Sequence, residues 1–283
     1  MARDPRLQPE AQGLFDDCLA VWLINLPRAI ARRETMQGQL DATGITYSII
    51  DGVDGNAEAA GIAQHVDEAA FMRNTGRRIL WGGIGCYLSH LQVWRAFLAT
   101  DKPVALVIED DAVLHDDFCE AVTLALQVRP LWDVLKLSRG MAALPIRQGF
   151  VGRYALNAYL GPTTGTSAYL INRATAEQLL QKMLPITRPT DHELGRFFAH
   201  DFRLLGMEPF PSHPDRSLES LITGALPYRH FKFSRHKRLY HYCLRATNYL
   251  RRFLYLARHG MIWPQRKQLA ENTSHKSAER AKA

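Results

Sequence analysis

The sequence predicts an α/β fold with a mostly parallel central sheet. Two stretches, Ala20–Ile24 and Val104–Ile108, are uninterrupted apolar runs, which are typical of strands buried on both faces. Strand-like and helix-like segments alternate along the chain with short connections, the order that parallel βαβ units produce. The 283 residues, 47% of them apolar, are enough for a domain with a sizeable core.

The first hundred residues follow this alternation. The first strand leads through the turn Asn25-Leu-Pro27 into an Arg- and Glu-rich helix, which Thr43-Gly44 ends. The stretch Asp51-Gly-Val-Asp-Gly55 has turn chemistry and follows the second strand. The predicted elements here are strands at 20–24 and 45–50 and helices at 28–41 and 84–99, with 56–80 left unassigned.

The rest of the chain continues the pattern and then changes in character. We predict strands at 104–108, 133–137 and 167–171 and helices at 118–127 and 173–183. There is no internal repeat, and no long linker before residue 212, so one domain over 1–227 is the simplest organisation. A basic helical segment over 228–267 and a polar, disordered tail over 268–283 are predicted to follow.

The positive charge is concentrated at one end. The net charge of +7 divides into +12 for residues 228–283 and −5 for residues 1–227. The main body is therefore not a general polyanion binder, and the excess charge belongs to the C-terminal segment.

Cysteine spacing and the apolar runs bear on the compartment. Four widely spaced cysteines without a C-x-x-C pair indicate reduced thiols rather than a disulfide framework or zinc ligands. The sequence shows no signal-peptide pattern, and no run approaches the roughly 20 apolar residues of a membrane span. We expect a cytoplasmic protein, peripheral on the inner face of the cytoplasmic membrane.

Three consecutive carboxylates, Glu109-Asp110-Asp111, follow the second apolar run. Adjacent acids repel one another unless a cation or hydrogen bonds hold them. Ligands of open α/β sheets bind outside the carboxyl ends of the strands, where this motif falls. The motif thus favours a divalent metal that holds a phosphorylated substrate. The alternative is a turn of solvated acids, extended by Asp116 and Asp117.

Six segments, in order, resemble glycosyltransferase family 25, the lipopolysaccharide and lipooligosaccharide sugar transferases. They are Leu23-Ile-Asn-Leu-Pro-Arg28, Ile50-Asp-Gly-Val-Asp-Gly55, Ile84-Gly-Cys-Tyr-Leu-Ser-His90, Val107-Ile-Glu-Asp-Asp-Ala112, Gly165-Thr-Ser-Ala-Tyr-Leu-Ile171 and Pro189-Thr-Asp191. The resemblance covers most of residues 20–215. It implies a GT-A-like catalytic domain that transfers a hexose, often galactose, from a UDP-sugar to a glycan or glycolipid acceptor with inversion at the anomeric carbon. One departure is Glu109, which stands where an Asp-x-Asp form is expected.

The implied cofactor is Mn²⁺ or Mg²⁺, which neutralises the charge on the departing diphosphate. Asp111 is the first expected ligand, and Glu109 or Asp110 would bind the metal, the ribose or a neighbouring group. His213, in a Pro-restricted loop, would favour Mn²⁺ as a further ligand. The alternative for His213 is an exposed loop histidine without a ligand.

Inverting transfer needs a base, for which Asp191 is the candidate. Asp191 or Thr190 is equally placed to cap the helix that follows. The remaining predicted donor-site residues are Asn25 and Arg28, Arg32 for the diphosphate, Asp51 for uridine or ribose, His90, and Lys136 for phosphate or acceptor. For His90 a satisfied core or capping histidine is the competing interpretation.

The segment from Tyr228 to Lys267 has 11 Lys/Arg and no Asp or Glu. Its apolar positions at helical spacing are Leu239, Cys243, Ala246, Leu250, Phe253 or Leu254, and Ala257. This pattern favours an interfacial helix on an anionic membrane surface. Packing of the helix onto the body is the second interpretation, and nucleic-acid binding is a distant third.

Two other functions remain compatible with the residues alone. A metal-dependent phosphoesterase would use the same acidic cluster to hydrolyse a nucleotide. A non-catalytic binding module would have structural acids and use the basic segment as its working surface.

Overall fold

The computed structural model describes residues 6–224 and 226–270 of the chain. The strands are β1 (Leu19–Asn25), β2 (Ser48–Asp51), β3 (Val104–Glu109), β4 (Ala112–Leu114), β5 (Val134–Lys136), β6 (Pro145–Val151), β7 (Tyr154–Tyr159), β8 (Ala168–Asn172), β9 (Leu204–Glu208), β10 (Ser212–Pro214) and β11 (Gln268–Ala270). The helices are α1 (Pro9–Cys18), α2 (Ile30–Thr43), α3 (Ala59–Ile62), α4 (Glu68–Thr75), α5 (Trp81–Leu98), α6 (Phe118–Gln127), α7 (Arg173–Leu180), α8 (Thr190–Leu194), α9 (Phe197–His200) and α10 (Leu239–Arg258).

Nine strands form the central sheet in the order β11-β6-β7-β9-β5-β8-β3-β1-β2, and β4 and β10 form a separate two-stranded ribbon. The pairs β1–β2, β1–β3, β5–β9 and β6–β11 are parallel. Antiparallel pairing occurs where β8 lies between β3 and β5 and where β7 lies between β6 and β9. The predicted GT-A-like α/β architecture with one central sheet is confirmed, and the sheet is mixed.

The strand β3 is buried along its apolar length. Val104 to Ile108 are each at most 1% exposed. Helices cover the sheet: α5 packs on β1, β2, β3 and α7, and α1 packs on β1 and α6. The continuous apolar run is therefore explained by burial on both faces.

Two glycines explain why the turn after β2 and the start of α5 lie so close together. A Cβ added at Gly55 would overlap the Trp81 carbonyl oxygen, and one added at Gly85 would overlap the Val53 carbonyl oxygen. Only glycine permits this approach of backbone to backbone. The contact brings the start of α5 against the loop that follows the parallel strands.

The C-terminal segment lies along the main body. The Arg78 N–H donates to the Phe231 oxygen at 2.9 Å, and the Phe233 N–H donates to the Gly76 oxygen at 2.9 Å. Further along, α10 packs on α4 and α9. The predicted helix is present, as α10 of 20 residues. No helix among the described residues is both long and apolar enough to cross a membrane.

The expected tail begins later than predicted. Gln268–Ala270, which we assigned to a disordered tail over 268–283, form β11 beside β6. The reason is local: the Phe150 N–H donates to the Lys267 oxygen at 3.0 Å, and Leu269 packs against the core. Residues 271–283 lie outside the described residues, so disorder there stays a prediction.

Candidate functional site

The predicted site residues of four strands meet at one edge of the sheet. In the parallel registers Ile24 pairs with Glu109 and Asn25 pairs with Asp51, so β1, β2 and β3 end together. Because β8 is antiparallel to both β3 and β5, the end of β5 at Lys136 faces the same edge. This is the edge at which α/β sheets bind ligands.

The carboxylate of Asp110 is held by the end of β1 and by α2. Asn25 Nδ2 donates to Asp110 Oδ2 at 2.7 Å, and Arg32 Nη1 lies 3.6 Å from Asp110 Oδ1. Burial raises the pKa of Asp110 above its usual value, although Asn25 and Arg32 both oppose that shift. Asn25 and Arg32 thus contact the acidic motif, as their place in the donor site predicts.

A chain of buried donors fixes Glu109. The indole N–H of Trp94 donates to the Tyr169 hydroxyl at 2.9 Å, and His90 Nδ1 is hydrogen-bonded to the same hydroxyl at 3.0 Å. Because the Glu109 carboxylate accepts hydrogen bonds, His90 Nε2 carries a hydrogen and donates to Glu109 Oε1 at 3.2 Å. The Thr166 hydroxyl donates to the same oxygen. Burial tends to raise the pKa of Glu109, but these hydrogen bonds outweigh it, and the pKa is lowered.

Of the three acids, Asp111 has a carboxylate that hydrogen bonds satisfy least. Its Oδ1 is buried without a hydrogen-bond partner among the described residues. Burial, with the neighbouring charges of Glu109 and Asp110, raises the pKa of Asp111 to about 7. A carboxylate with a free oxygen and two like charges beside it is a favourable place for a hard cation.

The described residues contain one group of three side chains whose ligand atoms lie within 4.8 Å of one another, namely Cys86, His90 and Glu109. Both nitrogens of His90 are already hydrogen-bonded, so metal binding there requires the bond to Glu109 to break. Burial raises the pKa of the Cys86 thiol, which disfavours the thiolate that a metal needs. This group is therefore a weaker match to a divalent metal than Asp111.

His213 lies in the β4–β10 ribbon, opposite Val113. Its Nδ1 is 2.7 Å from His115 Nε2, and it does not belong to the three-residue group around Glu109. The contact with His115 occupies Nδ1, one of the two ring nitrogens of His213. Its predicted role as a metal ligand stays a prediction.

Three consecutive residues, Thr164, Gly165 and Thr166, connect three predicted site residues. Lys136 Nζ donates to the Thr164 oxygen, the Gly165 N–H donates to Asp191 Oδ2 at 3.0 Å, and Thr166 contacts Glu109 as described. Burial lowers the pKa of Lys136 to about 8, although Asp191 opposes that shift. The loop before β8 thus brings the candidate base, a lysine and the acidic motif together.

Asp191 is not the N-cap residue of its helix. Pro189 occupies the N-cap position of α8, with no side-chain cap hydrogen bond, and Asp191 is the second residue of the helix. The Asp191 oxygens instead accept from Gly165 N and, at 2.8 Å, from His192 N. Burial tends to raise the pKa of Asp191, but His192, the Gly165 N–H and nearby cations lower it overall.

Two predicted donor residues lie apart from this cluster. Arg28 forms an exposed ion pair with Asp54, whose carboxylate also accepts from backbone N–H groups of the following turn. Asp51 is exposed at the end of β2, in register with Asn25. These bonds support the interpretation of Asp54 as a turn residue. Asp51 and Arg28 border the site, and in the described structure neither contacts the acidic motif.

Sequence reasoning missed two residues beside Asp191. Arg77 lies over the Tyr228 ring, with its guanidinium carbon 5.2 Å from the ring centre, and its charge lowers the pKa of Asp191. Burial and the Asp191 charge raise the pKa of Tyr228 to about 12. Arg77 belongs to a basic patch in a stretch without clear periodicity and Tyr228 begins the basic segment, so neither was assigned to the site. Thr166, in contrast, belongs to a motif that the family resemblance had already marked.

Comparison with known proteins shows which family these residues resemble. Residues 19–142 match the model of glycosyltransferase family 25, described as an LPS biosynthesis protein. This range includes Asn25, Glu109 and Lys136, while Asp191 and His213 lie beyond it.

The relatives carry names from the same family. Procollagen galactosyltransferase 1 of Danio rerio is 28% identical over 251 residues, covering 75% of this chain and 41% of that protein. Procollagen galactosyltransferase 2 of Homo sapiens is 27% identical over 230 residues, covering 72% and 36%. The probable inactive glycosyltransferase 25 family member 3 of Rattus norvegicus is 26% identical over 236 residues, covering 76% and 40%. This chain spans about two-fifths of the length of these relatives. Over residues 19–142 and in these relatives, the chain is similar to glycosyltransferase family 25.

Proposed function

We propose that this chain transfers a hexose, galactose in the first instance, from a UDP-sugar to a glycan acceptor with inversion of configuration. The observation that carries the proposal is the acidic motif at the ligand-binding edge of the sheet, with one buried oxygen of Asp111 that has no partner among the described residues. Relatives named as galactosyltransferases support the choice of sugar. Because other relatives are named as inactive, activity has to be tested on this chain.

The residues fit a divalent cation of the hard, oxygen-binding kind. Asp111 would hold Mn²⁺ or Mg²⁺, with Asp110 or Glu109 beside it, and the cation would neutralise charge on the departing diphosphate. A set of thiol, imidazole and carboxylate, as in Cys86, His90 and Glu109, favours a softer ion such as zinc. Both ring nitrogens of His90 in that set are already hydrogen-bonded, whereas Asp111 Oδ1 has no partner among the described residues, so Asp111 is the better ligand.

Asp191 would act as the base. Although burial tends to raise its pKa, His192, the Gly165 N–H and nearby cations lower it overall, so the carboxylate is ionised at neutral pH as a base must be. In the proposed step, an acceptor hydroxyl oxygen bonds to the anomeric carbon while the bond from that carbon to the UDP oxygen breaks. The hydroxyl proton passes to Asp191, and the electron pair of the broken bond leaves with UDP. Lys136, with a pKa of about 8, is mostly protonated at pH 7 and offsets the local negative charge.

The metal assignment is tested by thermal shift with UDP and UDP-galactose, with and without Mn²⁺. Wild-type protein should show a nucleotide shift that increases with Mn²⁺, and Asp111→Asn should lose the Mn²⁺-dependent part. Asp101→Asn, at an exposed carboxylate, is the matched control and should behave as wild type. An Mn²⁺-dependent shift that survives Asp111→Asn would refute the assignment.

The reaction class is tested by UDP release. Transfer predicts release that increases when acceptor is added and that falls steeply in Asp191→Asn. Acceptor-independent release of phosphate would instead indicate a phosphoesterase, and no nucleotide binding at all would indicate a non-catalytic module.

The acceptor is proposed to be a lipopolysaccharide or lipooligosaccharide glycan, in keeping with the family description. The alternative is the class in the relatives' names, procollagen. Parallel assays with a lipooligosaccharide and a procollagen peptide distinguish the two, and labelling of the peptide alone would contradict the proposal.

A further inference from the structure

The helix α10 is oriented opposite to an ordinary surface helix: its apolar side faces outward. Leu239 is 67% exposed, Leu250 59%, Leu254 56% and Phe253 45%. At 100° per residue these side chains share one face with Cys243, Ala246 and Ala257. The face formed by Leu239, Tyr242, Cys243, Ala246, Leu250, Phe253, Leu254 and Ala257 is named the apolar stripe.

The opposite side of α10 is fixed to the body by polar and aromatic contacts. Arg252, only 6% exposed, donates from Nη2 to the Gly195 oxygen at 3.1 Å. The Tyr255 ring packs edge-on against Phe197 at a centroid distance of 5.2 Å. Near the start of the helix, His241 Nδ1 lies 2.9 Å from the Asn74 oxygen. Contacts along its whole length set the rotation of the helix and hold the apolar stripe outward.

Positive charge borders the stripe. Arg245 lies on one side of it, and Arg251 and Arg258 lie on the other; all three are exposed. Residues 228–270 contain no Asp or Glu, so no acidic side chain of this segment offsets them. Trp263, 75% exposed, follows the helix. An apolar face between basic flanks, with an exposed indole near its end, is the composition of helices that lie in a membrane interface.

The charge pattern also separates a lipid surface from the other occupants. A two-fold contact between two copies of the stripe would bring like-charged arginine flanks together without acids to pair them. Nucleic acid would need basic side chains at the centre of the contact, where this helix has leucine and phenylalanine.

We propose that the apolar stripe of α10 binds an anionic membrane surface, with Leu250, Phe253 and Leu254 entering the interface and the flanking arginines contacting the headgroups. Burial of the apolar side chains provides the attachment, and the arginines make it depend on anionic lipid. The catalytic edge does not include the stripe, so the inference stands or falls independently of the transfer reaction.

The test is co-sedimentation with vesicles of phosphatidylcholine, with and without phosphatidylglycerol. The full chain should bind the anionic vesicles and release at high salt. The double variant Leu250→Glu/Phe253→Glu should lower the bound fraction at least about tenfold. Leu131→Glu, at an exposed leucine between α6 and β5, is the matched control and should bind as wild type. UDP release with a soluble acceptor should not change in either variant.

Folding and self-association are checked in the same series. Because the substituted side chains are exposed, the variants should melt as wild type, and Leu250→Ser/Phe253→Ser serves if the glutamates perturb folding. Vesicle binding that survives both double variants would overturn the proposal. So would a wild-type dimer, seen by sedimentation velocity, that becomes monomeric in the variants while the wild type does not bind vesicles.

Discussion

Replacing Tyr169 by phenylalanine removes one oxygen that two buried side chains share. Trp94 Nε1 donates to this hydroxyl at 2.9 Å, and His90 Nδ1 is hydrogen-bonded to it at 3.0 Å. Phenylalanine fills the same space and leaves no cavity. Each buried polar group left unpaired costs about 1–3 kcal/mol, so the expected loss in free energy of unfolding is about 2–4 kcal/mol after partial relaxation.

His90 cannot recover this loss by changing tautomer. A proton on Nδ1 would turn the Nε2 lone pair toward the Glu109 carboxylate and replace an attraction with a repulsion. We therefore expect Tyr169→Phe also to loosen Glu109 and to raise the KM for the sugar donor. Urea denaturation followed by circular dichroism measures the stability. The control is Tyr47→Phe, whose exposed bond to Asp41 should be worth less than about 1 kcal/mol. An equally small loss for Tyr169→Phe would refute the shared-hydroxyl argument.

Two further predictions concern the backbone contact and the acid stability. Gly85→Ala should destabilise the fold by about 1–3 kcal/mol because its Cβ would overlap the Val53 oxygen. The control is Gly38→Ala, which has nothing within 4 Å of its Cβ and should stabilise α2 by about 0.5–1 kcal/mol. Thermal melts of the two variants measure the difference. Glu193 has its pKa lowered from 4.5 to about 2, against the effect of burial, by its bond to His200 and its ion pairs with Arg188 and Arg196. Its contribution to stability is present above pH 4.5 and is lost as pH falls toward 2, so in urea denaturation Glu193→Gln should reduce the pH dependence in that window.

The parts of the site that follow from strand order were predictable. A buried apolar run ending in acids, together with parallel βαβ order, predicts a ligand site at the carboxyl ends of the strands, and the structure adds that Asn25 contacts the acidic motif there. The helix that carries His90 was predicted from its periodicity, within three residues at its start and one at its end. The strand-end motif and this helix were predictable because the burial of one face leaves a periodic pattern of apolar residues in the sequence.

The contacts made by irregular backbone were not predictable. The loop Thr164 to Thr166 binds Lys136, Asp191 and Glu109 through a carbonyl, an N–H and a hydroxyl, and two of these three groups are backbone atoms without a residue-type signal. The charge of Asp191 acts on Tyr228 because the C-terminal segment pairs with residues 76–78. Long-range pairing of this kind leaves no periodic trace in a single sequence. The cytoplasmic location and the division at residue 227 stay predictions.

The glutamate at the head of the acidic motif can be understood from what the other two acids lack. Asp110 is held by an amide and a guanidinium, and Asp111 has a free oxygen, so the demand for a cation concentrates on Asp111. Glu109 instead reaches His90 and Thr166, and its extra methylene supplies that reach. Glu109→Asp, which would restore an Asp-x-Asp form, should therefore lower both the melting temperature and the affinity for UDP-sugar. Calorimetry of unfolding and of UDP-galactose binding measures both, and a variant equal to wild type in each would refute the argument from side-chain reach.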